Sequence, residues 1–150
     1  MRYIFLITLF CLFLISCSKD SSQQKPTLTF ESVNTTVLER GQYIQFTLGF
    51  TDPTGQFKSD SAIYVRKVVP QCPEDSVLKD WLPLPAFNAS GNTKGDILVT
   101  YAYGTGTQYL PIAEPKCGGN DTCFFQFVLQ NAAGNMSDTV KSPTIVIVAN

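Results

Sequence analysis

Residues 42–50 read Q-Y-I-Q-F-T-L-G-F, with Ile44, Phe46, Leu48 and Phe50 falling on one side and Tyr43, Gln45, Thr47 and Gly49 on the other. Successive side chains of an extended chain point to opposite faces, so strict alternation marks a strand with one buried face. The same pattern recurs at residues 122–130, where Cys123, Phe125, Phe127 and Leu129 share a face, and at 62–69, where Ile63 and Val65 do. Residues 96–103 and 144–148 are rich in β-branched and aromatic residues, and residues 28–33 form a weaker run of the same kind. Between the last two long runs, Asn131-Ala132-Ala133-Gly134-Asn135 supplies residues that tolerate positive φ and closes a hairpin. Short alternating strands with Gly, Asn and Pro at their junctions predict an all-β, two-sheet antiparallel sandwich over residues 26–150.

Within that class an immunoglobulin-like strand order is the leading arrangement. Antibody-type domains join their second and sixth strands by a cysteine pair around a tryptophan; residues 42–50 hold no cysteine, so a looser sandwich is expected. In this order the chain enters at the end that carries residues 51–60 and 131–135. Two long loops, 70–95 and 104–121, then lie at the far end, provided the chain crosses back once within 70–95, through a short strand near 84–89. Residues 73–82, P-E-D-S-V-L-K-D-W-L, begin with proline, carry acids in the first turn and set Val77, Leu78, Trp81 and Leu82 on one side. That pattern predicts a short helix near 74–82.

The start of the 150-residue chain has a different chemistry. Arg2 precedes an apolar run over residues 4–15, which ends in Leu14-Ile15-Ser16-Cys17. A basic start and an apolar stretch too short to span a bilayer make a secretory signal. Leu-Ile-Ser-Cys resembles the lipobox of bacterial lipoproteins, which implies cleavage after Ser16 and acylation of Cys17. Several acyl chains on one residue hold a protein firmly where one does not, so the resemblance implies a partnership with the membrane through a lipid anchor. Ser18 stands where aspartate marks inner-membrane retention, which favours the outer membrane of a bacterial envelope, with its periplasmic or surface face left open. The chain divides into a signal peptide at 1–16, a lipidated cysteine and polar tether at 17–25, and a folded domain at 26–150.

The segment from Phe127 to Val140, continued by Ser142-Pro143-Thr144-Ile145-Val146-Ile147, is similar to the closing hairpin of Ig-like domains in surface lipoproteins of Bacteroidota. The resemblance covers about a seventh of the chain and implies a sandwich, but no particular activity, since such folds host many functions. Asp60-Ser61-Ala62, Asp75-Ser76-Val77 and Asp138-Thr139-Val140 match an O-glycosylation pattern associated with exported proteins of that group.

Formal net charge is −1, with no run of Lys or Arg, which argues against nucleic acid as a partner. The absence of histidine from the sequence removes the commonest general base and the usual Ser-His and Cys-His pairs, so no enzyme is expected. Glu74, Asp75 and Asp80 read as exposed charges near a helix start. No glycine-rich loop leads from a strand into a helix, so phosphate binding has no support. No cofactor is expected, with one candidate metal: Asp52 and Asp60 place two carboxylates in one loop of oxygen donors suited to calcium, although Asp-Pro-Thr-Gly is also an ordinary turn.

Of five cysteines, Cys11 leaves with the signal and Cys17 carries lipid, so Cys72, Cys117 and Cys123 remain as disulfide candidates with one thiol left over. Cys117 and Cys123 are close in sequence. A bridge from Cys72 to either of them is favoured because the topology gathers these loops and a longer closed loop constrains the unfolded chain more. Three cysteines without histidine lack the spacing of a zinc site. Trp81, the single tryptophan, reads either as core or as an exposed platform. The leading expectation is a non-enzymatic binding or accessory domain that contacts a glycan or protein through loops 70–95 and 104–121, with Trp81, Tyr101, Tyr103 and Tyr109 as contact residues. The alternative is a structural or envelope-assembly subunit that pairs through exposed strand edges and binds no small ligand.

Overall fold

A computed structural model of the chain describes residues 25–57, 60–84, 93–104 and 108–150. Cys17, the signal segment and most of the tether lie outside these residues, as do 85–92 of the first long loop and 105–107 of the second. The strands are β1 (Thr27–Val33), β2 (Val37–Leu38), β3 (Tyr43–Asp52), β4 (Ile63–Val68), β5 (Lys79–Leu82), β6 (Thr93–Tyr103), β7 (Leu110–Ile112), β8 (Asp121–Leu129), β9 (Val140–Lys141) and β10 (Ile145–Ile147). They form two facing sheets, ordered β1-β3-β6-β7 and β2-β10-β8-β4-β5, with β9 beside β8. The all-β sandwich is as expected, and the orders β1-β3-β6 and β10-β8-β4 are those of the two immunoglobulin sheets.

Alternation fills the space between the sheets. Ile44, Phe46 and Leu48 of β3 are buried, as are Ile63 and Val65 of β4, Ile97, Val99, Tyr101 and Tyr103 of β6, and Cys123, Phe125, Phe127 and Leu129 of β8. The Phe46 ring lies 4.8 Å from Phe125 and 5.1 Å from Phe127, centroid to centroid, so the aromatic centre of the core joins one sheet to the other. After β8, residues 131–135 turn the chain with Gly134 at φ 86°, a conformation that favours glycine. The closing strand is split at Pro143, which has no N–H for the ladder. There the Ser142 hydroxyl accepts the Phe125 N–H at 2.9 Å, and earlier the Ser137 hydroxyl does the same for Leu129 at 2.9 Å.

Three expectations are corrected. The sheets are mixed rather than wholly antiparallel: β2 runs parallel to β10 and β7 parallel to β6. β2 continues in the direction of β1 but has crossed to the opposite sheet, where β10 runs the same way. The helix near 74–82 is absent; Pro73–Asp75 makes one 3₁₀ turn, and Lys79–Leu82 is strand. Residues 79–82 find their partner across the sheet, with Ile63 opposite Leu82 and Arg66 opposite Lys79, and this ladder overrides the local helical spacing. The chain therefore returns through 79–82, and the strand expected near 84–89 falls almost wholly outside the described residues. Leu82 and Thr93 both register at the entry end, opposite Ile63 and Asp52, so among the described residues of 70–95 the part before β5 lies at the far end.

The entry end itself is as expected. Thr27 pairs with Thr51, and Lys25 Nζ contacts Asp138 at 2.6 Å, just beyond the 131–135 turn. At the far end a charged pair is buried: Lys67 Nζ donates to Asp121 Oδ2 at 2.8 Å, and both side chains are about as inaccessible as the apolar core. Separating such a pair strands one charge out of water, which costs more than the pair contributes over an apolar replacement. Asp121→Ala is expected to destabilise the domain by about 3–5 kcal/mol. The double replacement Lys67→Met with Asp121→Leu is expected to recover most of that loss, read as the midpoint of urea unfolding.

Candidate functional site

The far end is built by a disulfide. Cys72 and Cys117 are bonded, with Cα atoms 6.1 Å apart across a sequence separation of 45. The favoured bridge from Cys72 thus has Cys117 as its partner, and in the chain-entropy account a loop of that length stabilises by about 4 kcal/mol. The 3₁₀ turn sets the geometry: Asp75 is buried, and its Oδ2 accepts the Lys116 N–H at 2.6 Å, so the carboxylate braces one bridged loop against the other. The Ser76 hydroxyl accepts the Val69 N–H at 2.8 Å. Asp75 with the two sulfurs makes a cluster that resembles a ligand set, but both sulfurs are spent on each other. A recess of about 280 Å³ opens beside the bridge, lined by Val69, Cys72, Cys117, Asn120, Asp121 and Thr122. Its one carboxylate, on Asp121, is held by Lys67.

Cys123 is the thiol left over. It faces the core from β8, and burial pushes it up to about 12, with Lys67 pulling the other way and Asp121 adding to the rise.

The four aromatic contact candidates separate. Tyr101 and Tyr103 are 0% and 1% exposed and belong to the core, which corrects their placement on a contact surface. They continue the alternation of Ile97 and Val99, the signal that locates them inside. Tyr101 donates its hydroxyl to Asp80 Oδ2 at 3.0 Å, and burial together with that carboxylate holds its phenol well above the ordinary value. Tyr103 donates to the Val148 carbonyl at 2.9 Å. Both phenols cross from the first sheet to the second. Trp81 and Tyr109 are 41% and 40% exposed but sit on different sheets: Tyr109 stands 6.1 Å from the Tyr43 ring on the outer side of β3, and Trp81 on the outer side of β5.

The two carboxylates of the calcium reading, Asp52 and Asp60, have different settings. Asp52 is fully buried, and its two oxygens accept from Asn131 Nδ2 at 3.2 Å, Thr54 Oγ1 at 2.5 Å and the Gln56 N–H at 3.2 Å. It ties the β3 end to the turn after β8. Asp60 is exposed and engages its neighbour Ser61.

The outer face of β5-β4-β8-β9 is the surface that remains. Register places Lys79, Arg66, Gln126 and Lys141 side by side in one row across four strands. The adjoining row is Trp81, Tyr64 and Val128, and the Trp81 and Tyr64 rings lie 5.2 Å apart. Lys141 Nζ sits 5.3 Å from the centre of the Phe124 ring, which fixes it on this same face. Arg66 Nε is buried without a hydrogen-bond partner. Only Trp81 of this group is marked by sequence spacing; Tyr64, Arg66, Lys79 and Lys141 lie 77 positions apart at their extremes, and strand register alone brings them together.

No family model matches the chain, and no curated protein does. Among solved structures it is similar to the sporulation control protein Spo0M of Bacillus subtilis, at 14% identity and a TM-score of 0.44, over 84% of this chain and 50% of that one. The chain thus spans about half the length of Spo0M, and a likeness at that level carries no inference about function.

The thiol chemistry is directly testable. In the folded, oxidised domain a thiol reagent is expected to leave Cys123 unmodified and to label it once the chain is unfolded. The Cys123 thiol titrates higher folded than unfolded, so its stabilising contribution is whole below its ordinary value of 9.0 and is lost as pH rises toward about 12. Tyr101 acts in the same direction. Unfolding midpoints are expected to fall across that alkaline window, and Cys123→Val to flatten part of the fall.

Proposed function

We propose that the protein is a lipid-anchored lipoprotein of a bacterial envelope, exported by its N-terminal signal and held at Cys17, whose sandwich is a non-enzymatic domain that binds a glycan or protein partner. The contact surface in this reading is the outer face of β5, β4 and β8, rather than the tips of the long loops. The observation that carries it is Trp81: the single tryptophan of the chain is 41% exposed on the outer face of β5, in ring contact with Tyr64. Anchoring is supported by the lipobox-like Leu14-Ile15-Ser16-Cys17 and by entry of the chain at the end opposite the Cys72–Cys117 bridge, which turns the bridged loops away from the tether. The non-enzymatic part is supported by the absence of histidine from the sequence and by the structural employment of Asp75 and Asp80.

The assembly-subunit alternative asks for an inviting strand edge. β5, the edge nearest this face, is four residues long and begins with Lys79, features that discourage pairing with another chain.

Metabolic labelling with palmitate is expected to mark the wild-type chain and not Cys17→Ser, which shifts from the membrane to the soluble fraction. An unlabelled wild-type chain overturns the anchor. A photo-crosslinking residue at position 81 in intact cells is expected to give a discrete adduct, and the same residue at position 43, on the other sheet, to give none; equal yields overturn the assigned face.

A further inference from the structure

Eight cationic side chains lie among the described residues, and three of them, Lys25, Arg40 and Lys67, are in ion pairs. Of the five left, Arg66, Lys79 and Lys141 stand in a single cross-strand row. Adjacent strands are spaced about 4.8 Å apart, so the row is a line of positive charge roughly 14 Å long. No carboxylate forms an ion pair with it among the described residues. Like charges directly opposite each other, as Arg66 is to Lys79, destabilise a sheet, and the buried, unpartnered Nε of Arg66 adds an unsatisfied donor. On a chain of net charge −1 this concentration of one sign is a local feature, not a consequence of composition.

Beside the line lies an aromatic pair, Trp81 with Tyr64, whose rings are tilted 47° to each other, so that each offers its own face. A ligand that matches both rows carries regularly spaced negative charge and presents an apolar ring face. An extended acidic peptide offers the charge without the ring face. A nucleic acid offers both, but its affinity rests on neutralising many phosphates, and three cations neutralise few.

We propose that the outer face of β5-β4-β8-β9 binds an anionic polysaccharide, with Arg66, Lys79 and Lys141 holding its carboxylate or sulfate groups and Trp81 and Tyr64 stacking against a sugar ring. The proposal rests on the binding-domain reading above and names its partner.

The test uses the full chain in detergent micelles and four probes: polygalacturonate, dextran sulfate, methyl-esterified polygalacturonate and polyglutamate. The expected result is retention by one or both anionic polysaccharides, about tenfold or more weaker retention by the methyl ester and by polyglutamate, and weakening of all retention as ionic strength rises. Retention by polygalacturonate alone identifies a uronate ligand, by dextran sulfate alone a sulfated one. Arg66→Gln and Trp81→Ala are each expected to weaken binding about tenfold, while Arg66→Lys and Lys94→Ala, the latter outside the row, leave it within about twofold. Unfolding midpoints are read in parallel; where Trp81→Ala unfolds the domain, Trp81→Phe, which keeps a ring, is compared with Trp81→Leu. Equal retention by polyglutamate and polysaccharide overturns the proposal in favour of an acidic polypeptide, and an effect of Lys94→Ala as large as that of Arg66→Gln overturns it in favour of diffuse charge. Failure of every probe removes the polysaccharide; if the crosslinker at position 81 still gives its adduct, the binding-domain reading stands without it.

Discussion

The packing of Phe46 against Phe125 and Phe127 is the constraint on which the rest of the structure depends. A strand has a side-chain period of two, so a slip of one residue would turn every inward side chain outward. Fixing Phe125 and Phe127 inside fixes Phe124, Gln126 and Val128 outside, and fixing Ile63 and Val65 inside does the same for Tyr64 and Arg66. The face that carries the cations and the exposed tryptophan is therefore the obligatory complement of the core. A mutation that repacked the aromatic centre would also misplace this surface.

Polar links at the rims hold the two sheets in one relative position. Tyr101 reaches Asp80 and Tyr103 reaches the Val148 carbonyl, in both cases from β6 to the other sheet or the chain just beyond it, and Asp52 joins β3 to Asn131 past the end of β8. The middle of the sandwich is apolar and would tolerate small shifts; directional hydrogen bonds at its margins do not, because each leaves a buried donor or acceptor unpaired if it breaks. The Lys67–Asp121 pair and the Cys72–Cys117 bridge close the far end in the same way. The outer face of β4, β5 and β8 is consequently presented on a stiff support.

How much of this was legible in the sequence follows from which interactions are local. The long strands were, because Q-Y-I-Q-F-T-L-G-F and its counterpart at 122–130 carry their periodicity in nine residues. So was the bridge from Cys72, since the strand order gathers the loops that hold the cysteines. Residues 73–82 misled: Pro73, two acids and the spacing of Val77, Leu78, Trp81 and Leu82 are sound helical signals, and the partner that overrode them, β4, lies more than ten residues away. Tyr101 and Tyr103 are legible as core from the same alternation as Ile97 and Val99, and that period outweighs the residue type and nearby long loop that suggest a contact surface. The row of Lys79, Arg66, Gln126 and Lys141 was not legible, since no one-dimensional window contains it.

Two opposed terms meet at β5. Repulsion between Arg66 and Lys79 works against its pairing with β4, by a few tenths of a kcal/mol to about 1 kcal/mol. The adjacent Tyr64–Trp81 ring contact contributes about 0.5–1.5 kcal/mol in the opposite sense, as does the Asp80–Tyr101 hydrogen bond, at about 0.5–1.5 kcal/mol. The balance favours the ordered strand, and Leu82 adds packing against the core. An anion on the row would remove the unfavourable term and leave the favourable ones intact, so negative charge bound there would add to the stability of β5. A surface of mixed signs would be more stable and indifferent to such a ligand, so the uniform sign of this row, together with the ring pair beside it, is the physical ground of the proposed contact.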